Sequence, residues 1–449
     1  MEVRPPTRLG ARTWSAFVIL GLAGQLAWTV ENMYLNVFVY DTITDDPAVI
    51  ATLVGASAIV ATLTALVVGA WSDRTGNRRT IVTAGYVLWG ATTAAFGFAT
   101  PESVGALIPG WDAVTAAIAV IIVLDCVMTF FGSSANDAAY QAWVTDSTDP
   151  TNRGRVDGVL ATLPLLSMLL VFAALDGLTQ AGQWRLFFGI VGAFTAVVGV
   201  IAWFSVRNRP PADRGTSVWV DIVYTLRPST LRAHPRLYQV LVVVAIIGIA
   251  SQVYFPYLII YIQRTLRIDG YAIVLGVVLT VSSLCSVLAG RLADRIGKLR
   301  VVLPAMGVLV LGLLGMFVVR DMVGAIVAGT VMMTGFLVST SALAATVRDL
   351  VPEGRAGSVQ GVRMIAVVLI PMVIGPWIGA FVIQGADETY LDLGVEKQVP
   401  TAWIFVAAAV VVLIAAPLVV RLLRADRGAG RAVAEAPAAE SAESEAEVP

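Results

Sequence analysis

The sequence predicts an all-α membrane protein of twelve transmembrane helices in two pseudo-symmetric six-helix bundles. Three observations carry this. Apolar residues fill 57% of the 449 positions and charged residues only 14%, with a mean hydropathy of +0.81, more apolar surface than a soluble chain of this size buries within itself. Twelve runs each approach the ~20 apolar residues that a bilayer-spanning helix requires. A polar loop motif in the first half also recurs 221 residues later in the second, as the internal repeats of such architectures do.

In chain order, the first run, 14–40, follows a basic leader and exceeds the ~7–15 residues of a signal-peptide core, so it is expected to remain as a span. Runs at 48–70, 80–99, 113–144, 156–179 and 184–206 complete a first half, 1–206. Residues 207–236, with VRNRPPADRG and RPSTLRAHPR, interrupt the apolar pattern and read as a cytoplasmic linker. Within it Val218, Trp219, Ile222, Val223 and Leu226 have the spacing of a short interfacial helix. The second half, 237–424, holds runs at 237–262, 270–290, 300–319, 322–346, 361–384 and 401–423. The Ala- and Glu-rich tail, 425–449, has no apolar periodicity and is expected to be disordered in the cytoplasm.

Basic residues set the orientation, because cytoplasmic loops accumulate Lys and Arg. With the N-terminus inside, 24 of the 30 Lys and Arg residues fall on the inner side. The opposite loops are acidic, with Asp41, Asp45 and Asp46, then Glu102 and Asp112, then Asp387, Glu388, Asp392 and Glu396. Both termini are therefore expected in the cytoplasm, with the spans in the cell's inner membrane. Cys126 and Cys285 lie inside spans and read as packing residues. His234 is the single histidine and sits in the linker, away from any intramembrane proton path.

The repeated motif runs Gly69-Ala-Trp-Ser-Asp73-Arg74-Thr-Gly76-Asn-Arg78-Arg79 and again Gly290-Arg-Leu-Ala-Asp294-Arg295-Ile-Gly297-Lys298-Leu-Arg300. Glycines permit the tight turn, an acidic side chain can meet a helix N-terminus, and arginines can pair across the interface between halves. Such contacts form in one state and break in another, so Gly69, Asp73, Arg74, Gly76, Arg78, Gly290, Asp294, Arg295 and Gly297 are candidate gating residues. A second loop, Asp146 to Gly158, is echoed by Asp349 to Gly361, and Tyr34-Leu35 by Tyr257-Leu258.

Ionisable residues inside spans cost ~2.5–3.5 kcal/mol on insertion scales and are functional candidates by default. Glu31 lies in the first run and Asp125 and Asp137 in the fourth; these are the candidate coupling residues. Asp176 lies near the outer end of the fifth, and Arg185 and Arg363 near helix starts. Along the first helix Gln25, Trp28, Asn32 and Asn36 fall on one side with Tyr34 a turn on. In the fourth, Asn136 and Gln141 share neighbouring faces with Asp125 and Asp137. In the seventh, Gln252, Tyr254 and Tyr257 surround Pro256, which predicts a bend. Aromatic faces and amides are what a sugar-like ligand uses, so Trp28, Asn32, Tyr34, Asn36, Asn136, Gln141, Gln252, Tyr254 and Tyr257 are the candidate substrate-binding residues.

The Gly-x-x-x-Asp-Arg-x-Gly loop resembles the signature of the major facilitator superfamily, found between the second and third and the eighth and ninth helices; Trp71 and Asn77 depart from the usual residues. The resemblance implies the major facilitator fold and alternating access around a central site. Ser134 to Trp143 is similar to the fourth-helix region of the glycoside-pentoside-hexuronide cation symporters, in which an Asp serves the coupling cation; Asp137 matches it. Glu31-Asn-Met-Tyr34 resembles the first helix of proton-coupled sucrose transporter relatives. The sodium-using members carry second-helix carboxylates where Ala61, Ala65 and Leu66 stand here, so the coupling ion is expected to be a proton rather than sodium. A proton needs only one carboxylate able to change its protonation state, which Glu31 or Asp137 supplies.

The expected function is proton-coupled symport of a sugar-like small molecule by a monomer in the lipid bilayer, without cofactor, metal or nucleic acid. Proton-driven export of amphiphilic drugs or lipids keeps the same fold and is the alternative. An intramembrane enzyme would need a nucleophile or metal set, and no span contains a His or a Cys-His pair.

Overall fold

The computed structural model describes residues 9–149, 152–208, 232, 234–351, 361–392 and 395–446 and, for 292–294, 392, 395 and 426–446, the backbone alone. The interfacial helix expected near 218–226 lies outside the described residues. Among the described residues twelve helices are long and apolar enough to cross a bilayer: α1 (Ala11–Thr42), α2 (Pro47–Thr75), α3 (Arg78–Phe98), α4 (Ala113–Ser147), α5 (Arg153–Ala174), α6 (Trp184–Ser205), α7 (Pro235–Thr265), α8 (Tyr271–Arg291), α9 (Lys298–Val318), α10 (Met322–Leu350), α11 (Gly361–Ala386) and α12 (Trp403–Ala425). With an even number of these spans, the start of α1 and the end of α12 lie on one face, hereafter the face bearing the termini.

Part of the acidity of the opposite face has a local cause. Asp46, Asp112 and Asp321 cap α2, α4 and α10, their carboxylates accepting from Ala48 N at 2.8 Å, Thr115 N at 2.9 Å and Gly324 N at 3.1 Å. These bonds satisfy amides that the first helical turn leaves unpaired. On the face bearing the termini, α2 stops at Gly76, whose φ of +64° is left-handed, and the chain reverses at once into α3.

Within the first half, α3 and α6 approach until a Cβ on Gly90 would stand 2.3 Å from the Gly192 carbonyl. Helices this close gain dispersion rather than hydrophobic free energy, since lipid is as apolar as the interior. Between the halves α2 packs on α11 and α5 on α8, a pair of contacts that exchange under the repeat. Large apolar side chains such as Phe381, 77% exposed, cover the outside.

Four features depart from the hydropathy reading. The fifth span ends at Ala174 and gives way to a short helix, Asp176–Gln180, around the buried Asp176 carboxylate. Between α11 and α12 the acidic loop folds as a hairpin, Thr389–Asp392 against Val395–Gln398. The tail expected to be disordered continues the last helix to Ala446, because Ala and Glu are strong helix formers even without an apolar face. Helices α1, α4, α7 and α11 also widen to π-helical turns at Val30–Leu35, Ser133–Tyr140, Tyr261–Thr265 and Ile365–Leu369, and α7 first tightens to a 3₁₀ turn at Phe255–Tyr257 about Pro256.

Candidate functional site

The π-helical turns of α1 and α4 carry Glu31 and Asp137, while Asp125 stands on the regular part of α4 before its turn. Such turns frequently mark functional positions, because the extra residue turns side chains inward that a regular helix would point elsewhere. Glu31, 7% exposed, receives the Thr129 hydroxyl on Oε1 at 2.9 Å. Its Oε2 is buried with no protein partner. One turn earlier on α4, Asp125 is 1% exposed; Ser57 of α2 stands beside it and its Oδ1 has no partner. Glu31 lies within electrostatic reach of both Asp125 and Asp137.

Asp137 is half-buried and better satisfied. It accepts from Ser133 Oγ and from Asn136 Nδ2, each at 3.0 Å, and the Trp28 side chain adjoins it. Asn136 is oriented from behind, its Oδ1 3.0 Å from the Tyr86 hydroxyl, which also lies 2.9 Å from Leu20 O. Gly24 of α1 makes room for this amide, since a Cβ there would stand 2.4 Å from Asn136 Oδ1. Gly24→Val is therefore expected to push Asn136 off Asp137 and abolish transport while costing ~1–3 kcal/mol of stability from overpacking; retained uptake at normal expression would contradict this placement.

The polar stripe of α1 is partly spent on its own helix. Asn32 Nδ2 donates to Trp28 O at 2.8 Å and Asn36 Nδ2 to Asn32 O at 2.9 Å, while Asn36 Oδ1 is buried without a partner. Trp28 packs on Trp89 with centroids 4.9 Å apart, and Gln141 is exposed. Three expected binding residues lie elsewhere. Tyr34 is fully buried among Phe172 and Phe187, Tyr254 packs on Phe405, and Tyr257 places its hydroxyl between Pro47 O, 3.1 Å, and Pro376 O, 2.9 Å. Periodicity placed these rings on faces but not on which side of the neighbouring helix they would close. Gln252 alone of the expected α7 residues lines the cavity of about 690 Å³ between the halves.

A second cluster joins Tyr34, expected to bind the solute, to Asp176 and Tyr271, for which no role was expected. Asp176 is buried at the face opposite the termini and accepts from Tyr34 at 3.0 Å, from Gln180 at 2.6 Å and from the Tyr271 hydroxyl. Tyr34 and Asp176 belong to the first half and Tyr271 to the second, so this carboxylate ties the two together. Arg264 to Asp41 at 2.8 Å, Tyr40 to Gln398 O at 2.7 Å and Gln398 N to Asp45 at 2.6 Å join the halves at the same face. The signal in the sequence was an acidic residue just inside a span, Asp176; its partner Tyr271 lies 95 residues away.

The repeated loops sit on the face bearing the termini. Arg78, 5% exposed, donates to Ser72 Oγ at 2.6 Å and pairs with Asp73 and with Asp146 at 3.4 Å. This pairing lies within the first half, not across the interface as expected, because the turn at Gly76 brings Arg78, at the start of α3, back onto the end of α2. In the repeat, Lys298 meets Asp349 at 2.5 Å after Gly297 turns with φ +100°. A Cβ on Gly69 would stand 3.8 Å from the Ala138 Cβ, Arg74, Gly290 and Arg295 are exposed, and the Asp294 side chain lies outside the described residues. Arg78→Ala is expected to leave two carboxylates facing each other. Breaking a buried pair costs ~3–5 kcal/mol, and partial exposure of Asp73 sets the lower end; an unchanged melting temperature in detergent would refute the assignment.

A comparison with curated protein sequences found no match. Among solved structures, the chain is similar to a bacterial homologue of the human lysosomal transporter Spinster, inward-facing and unoccupied, at 16% identity and TM-score 0.66 over 93% of this chain and 98% of that one. It is likewise similar to the nucleoside transporter NupG, at 12% identity and TM-score 0.66 over 92% of this chain and 99% of that one. At such identities the likeness speaks for the fold. The Major Facilitator Superfamily model matches residues 16–376. With twelve spans in two repeated halves and that match over most of its length, the chain belongs to the Major Facilitator Superfamily and is a multi-pass membrane transporter.

Proposed function

We propose that this transporter is proton-coupled and works by alternating access, with Glu31, Asp125 and Asp137 carrying the coupling and both termini in the cytoplasm of a cell whose inner membrane it spans. The observation that carries the reading is Glu31: a buried carboxylate with one oxygen on Thr129, the other unpartnered, and a second buried carboxylate, Asp125, beside it. Two neighbouring charges inside a membrane repel and lose hydration, and a proton taken up there removes the repulsion and the desolvation cost of one of them. Closing the cavity around the protonated pair is then favoured over closing it around the charged one.

The hydrogen bonds around Asp176 and Asp41 support a state closed on the outer face, and the cavity reaching Arg363 near the start of α11 supports access from the cytoplasm. The loops Gly69 to Arg79 and Gly290 to Arg300 act in this reading as brackets that reset between states. Asp73→Asn is accordingly expected to slow cycling without changing solute affinity; altered affinity with normal turnover would remove Asp73 from gating.

The resemblance of residues 134–143 to the glycoside-pentoside-hexuronide symporters supports a sugar, but the burial of Tyr34, Tyr254 and Tyr257 away from the cavity takes away the stacking faces on which that choice leaned. The test of coupling is external alkalinisation of lightly buffered, de-energised cells on adding sugars or organic anions. A solute-evoked signal that Glu31→Gln lacks supports the reading. Transport of the same solutes with no proton movement overturns it.

A further inference from the structure

The cavity between the halves has a chemical polarity of its own. On its second-half wall Arg363, Val367 and Pro371 of α11 all line the same space, on either side of and within the π-helical turn Ile365–Leu369. On α7 Val244, Gly248 and Gln252 line it too, and α10 adds Phe336, Thr340 and Leu343. Among the described residues lining the cavity, Arg363 is the one ionisable side chain, and it stands at the cytoplasmic end. Arg348 lies within electrostatic reach and adds a like charge.

Arg363 is the third residue of α11 and is exposed, so its guanidinium is open to water and to an entering solute. Simple topology marking asks only that a basic residue reach the inner interface, and does not account for its place in the cavity wall. Its planar fork of donors matches an oxyanion. The rest of the wall offers apolar surface with the Gln252 amide and Thr340 hydroxyl at intervals, in a volume of about 690 Å³, within the ~300–1,000 Å³ of small-molecule sites.

We propose that this cavity takes an organic anion with an apolar body, its carboxylate or phosphate held by Arg363 and its body lying along Val367, Pro371 and Val244. The proposal rests on the transporter reading above and names its solute class. It divides the labour between the halves: carboxylates of the first half handle the proton, and the cation of the second half handles the solute.

The test is equilibrium binding to the full-length protein in lipid nanodiscs, with empty nanodiscs subtracted. Octyl phosphate and octanoate are compared with octanol, octyl glucoside and inorganic phosphate. The expected result is binding of octyl phosphate or octanoate at least about tenfold tighter than octanol or octyl glucoside, about the worth of one charge-assisted hydrogen bond, and tighter than inorganic phosphate. Arg363→Gln is expected to remove that preference and Arg363→Lys to keep part of it. Equal binding of octanol and both anions by the wild-type protein, which needs no variant to fold, overturns the proposal. So does inorganic phosphate binding as tightly as octyl phosphate, or an undiminished preference in Arg363→Gln. Carboxylate or phosphate as the preferred head group is read from octanoate against octyl phosphate. The two readings fail separately. Sugar-evoked proton uptake in proteoliposomes, without anion preference, sinks the anion site and leaves coupling standing. Anion preference without anion-evoked proton uptake sinks coupling and leaves the site.

Discussion

Replacing Glu31 with Gln is expected to reduce pH-gradient-driven accumulation to passive equilibration while exchange of labelled for unlabelled solute continues. The amide keeps the shape and can still meet the Thr129 hydroxyl now found 2.9 Å from Oε1, but it cannot exchange a proton. A second readout follows from the burial. A charge at the membrane centre costs ~2.5–3.5 kcal/mol, roughly two orders of magnitude in an equilibrium, and the neutral amide avoids it in every state. Glu31→Gln should therefore raise the thermal midpoint as it abolishes coupling. Accumulation at wild-type level in Glu31→Gln would take the residue out of the mechanism, and a fall in both exchange and thermal midpoint would indicate a structural role instead.

Tyr271→Phe should open the face opposite the termini. Asp176 is buried, and Tyr271 is the donor that reaches it from the other half. A hydrogen bond to a charged group contributes ~1.5–3 kcal/mol, so its loss should shift the balance between outer-closed and outer-open states by roughly tenfold to a hundredfold. Tyr34 and Gln180 continue to serve Asp176 from within the first half, so the carboxylate is not abandoned and the fold should survive. Spin labels on Glu102→Cys and Asp387→Cys, with Cys126 and Cys285 replaced by Ser, would report the outer separation. An unchanged distance distribution would rule out Asp176 as a latch, and Tyr34→Phe, which lies on one side of the divide, is the control expected to leave that distribution close to wild type.

Much of the fold was legible because a bilayer imposes one rule on the chain. Each backbone amide must be satisfied within its own segment, so a run such as 184–206 can only be a helix, and α6 spans Trp184–Ser205. Charge and turn residues were legible for the same reason: Gly76 and Gly297 both adopt the positive φ that their place in the repeat requires. Glu31, Asp125 and Asp137 stood out because membrane insertion makes an unneeded carboxylate expensive.

The sequence by itself determined the class, the number of spans, the two-fold repeat and which carboxylates lie inside the membrane, all of them properties set residue by residue through the cost of placing polar groups in lipid. Only the tertiary structure decided which of these groups meet. Whether Tyr34 stacks on a solute or reaches Asp176, whether Arg78 crosses the interface or folds back onto Asp73, and whether Arg363 faces lipid or the cavity depend on π-helical turns, glycine-width contacts and the packing of helices hundreds of residues apart. Helical period fixes a side chain's direction to within a face, and a face is shared by several neighbours; the choice among them belongs to long-range packing, which no local pattern encodes.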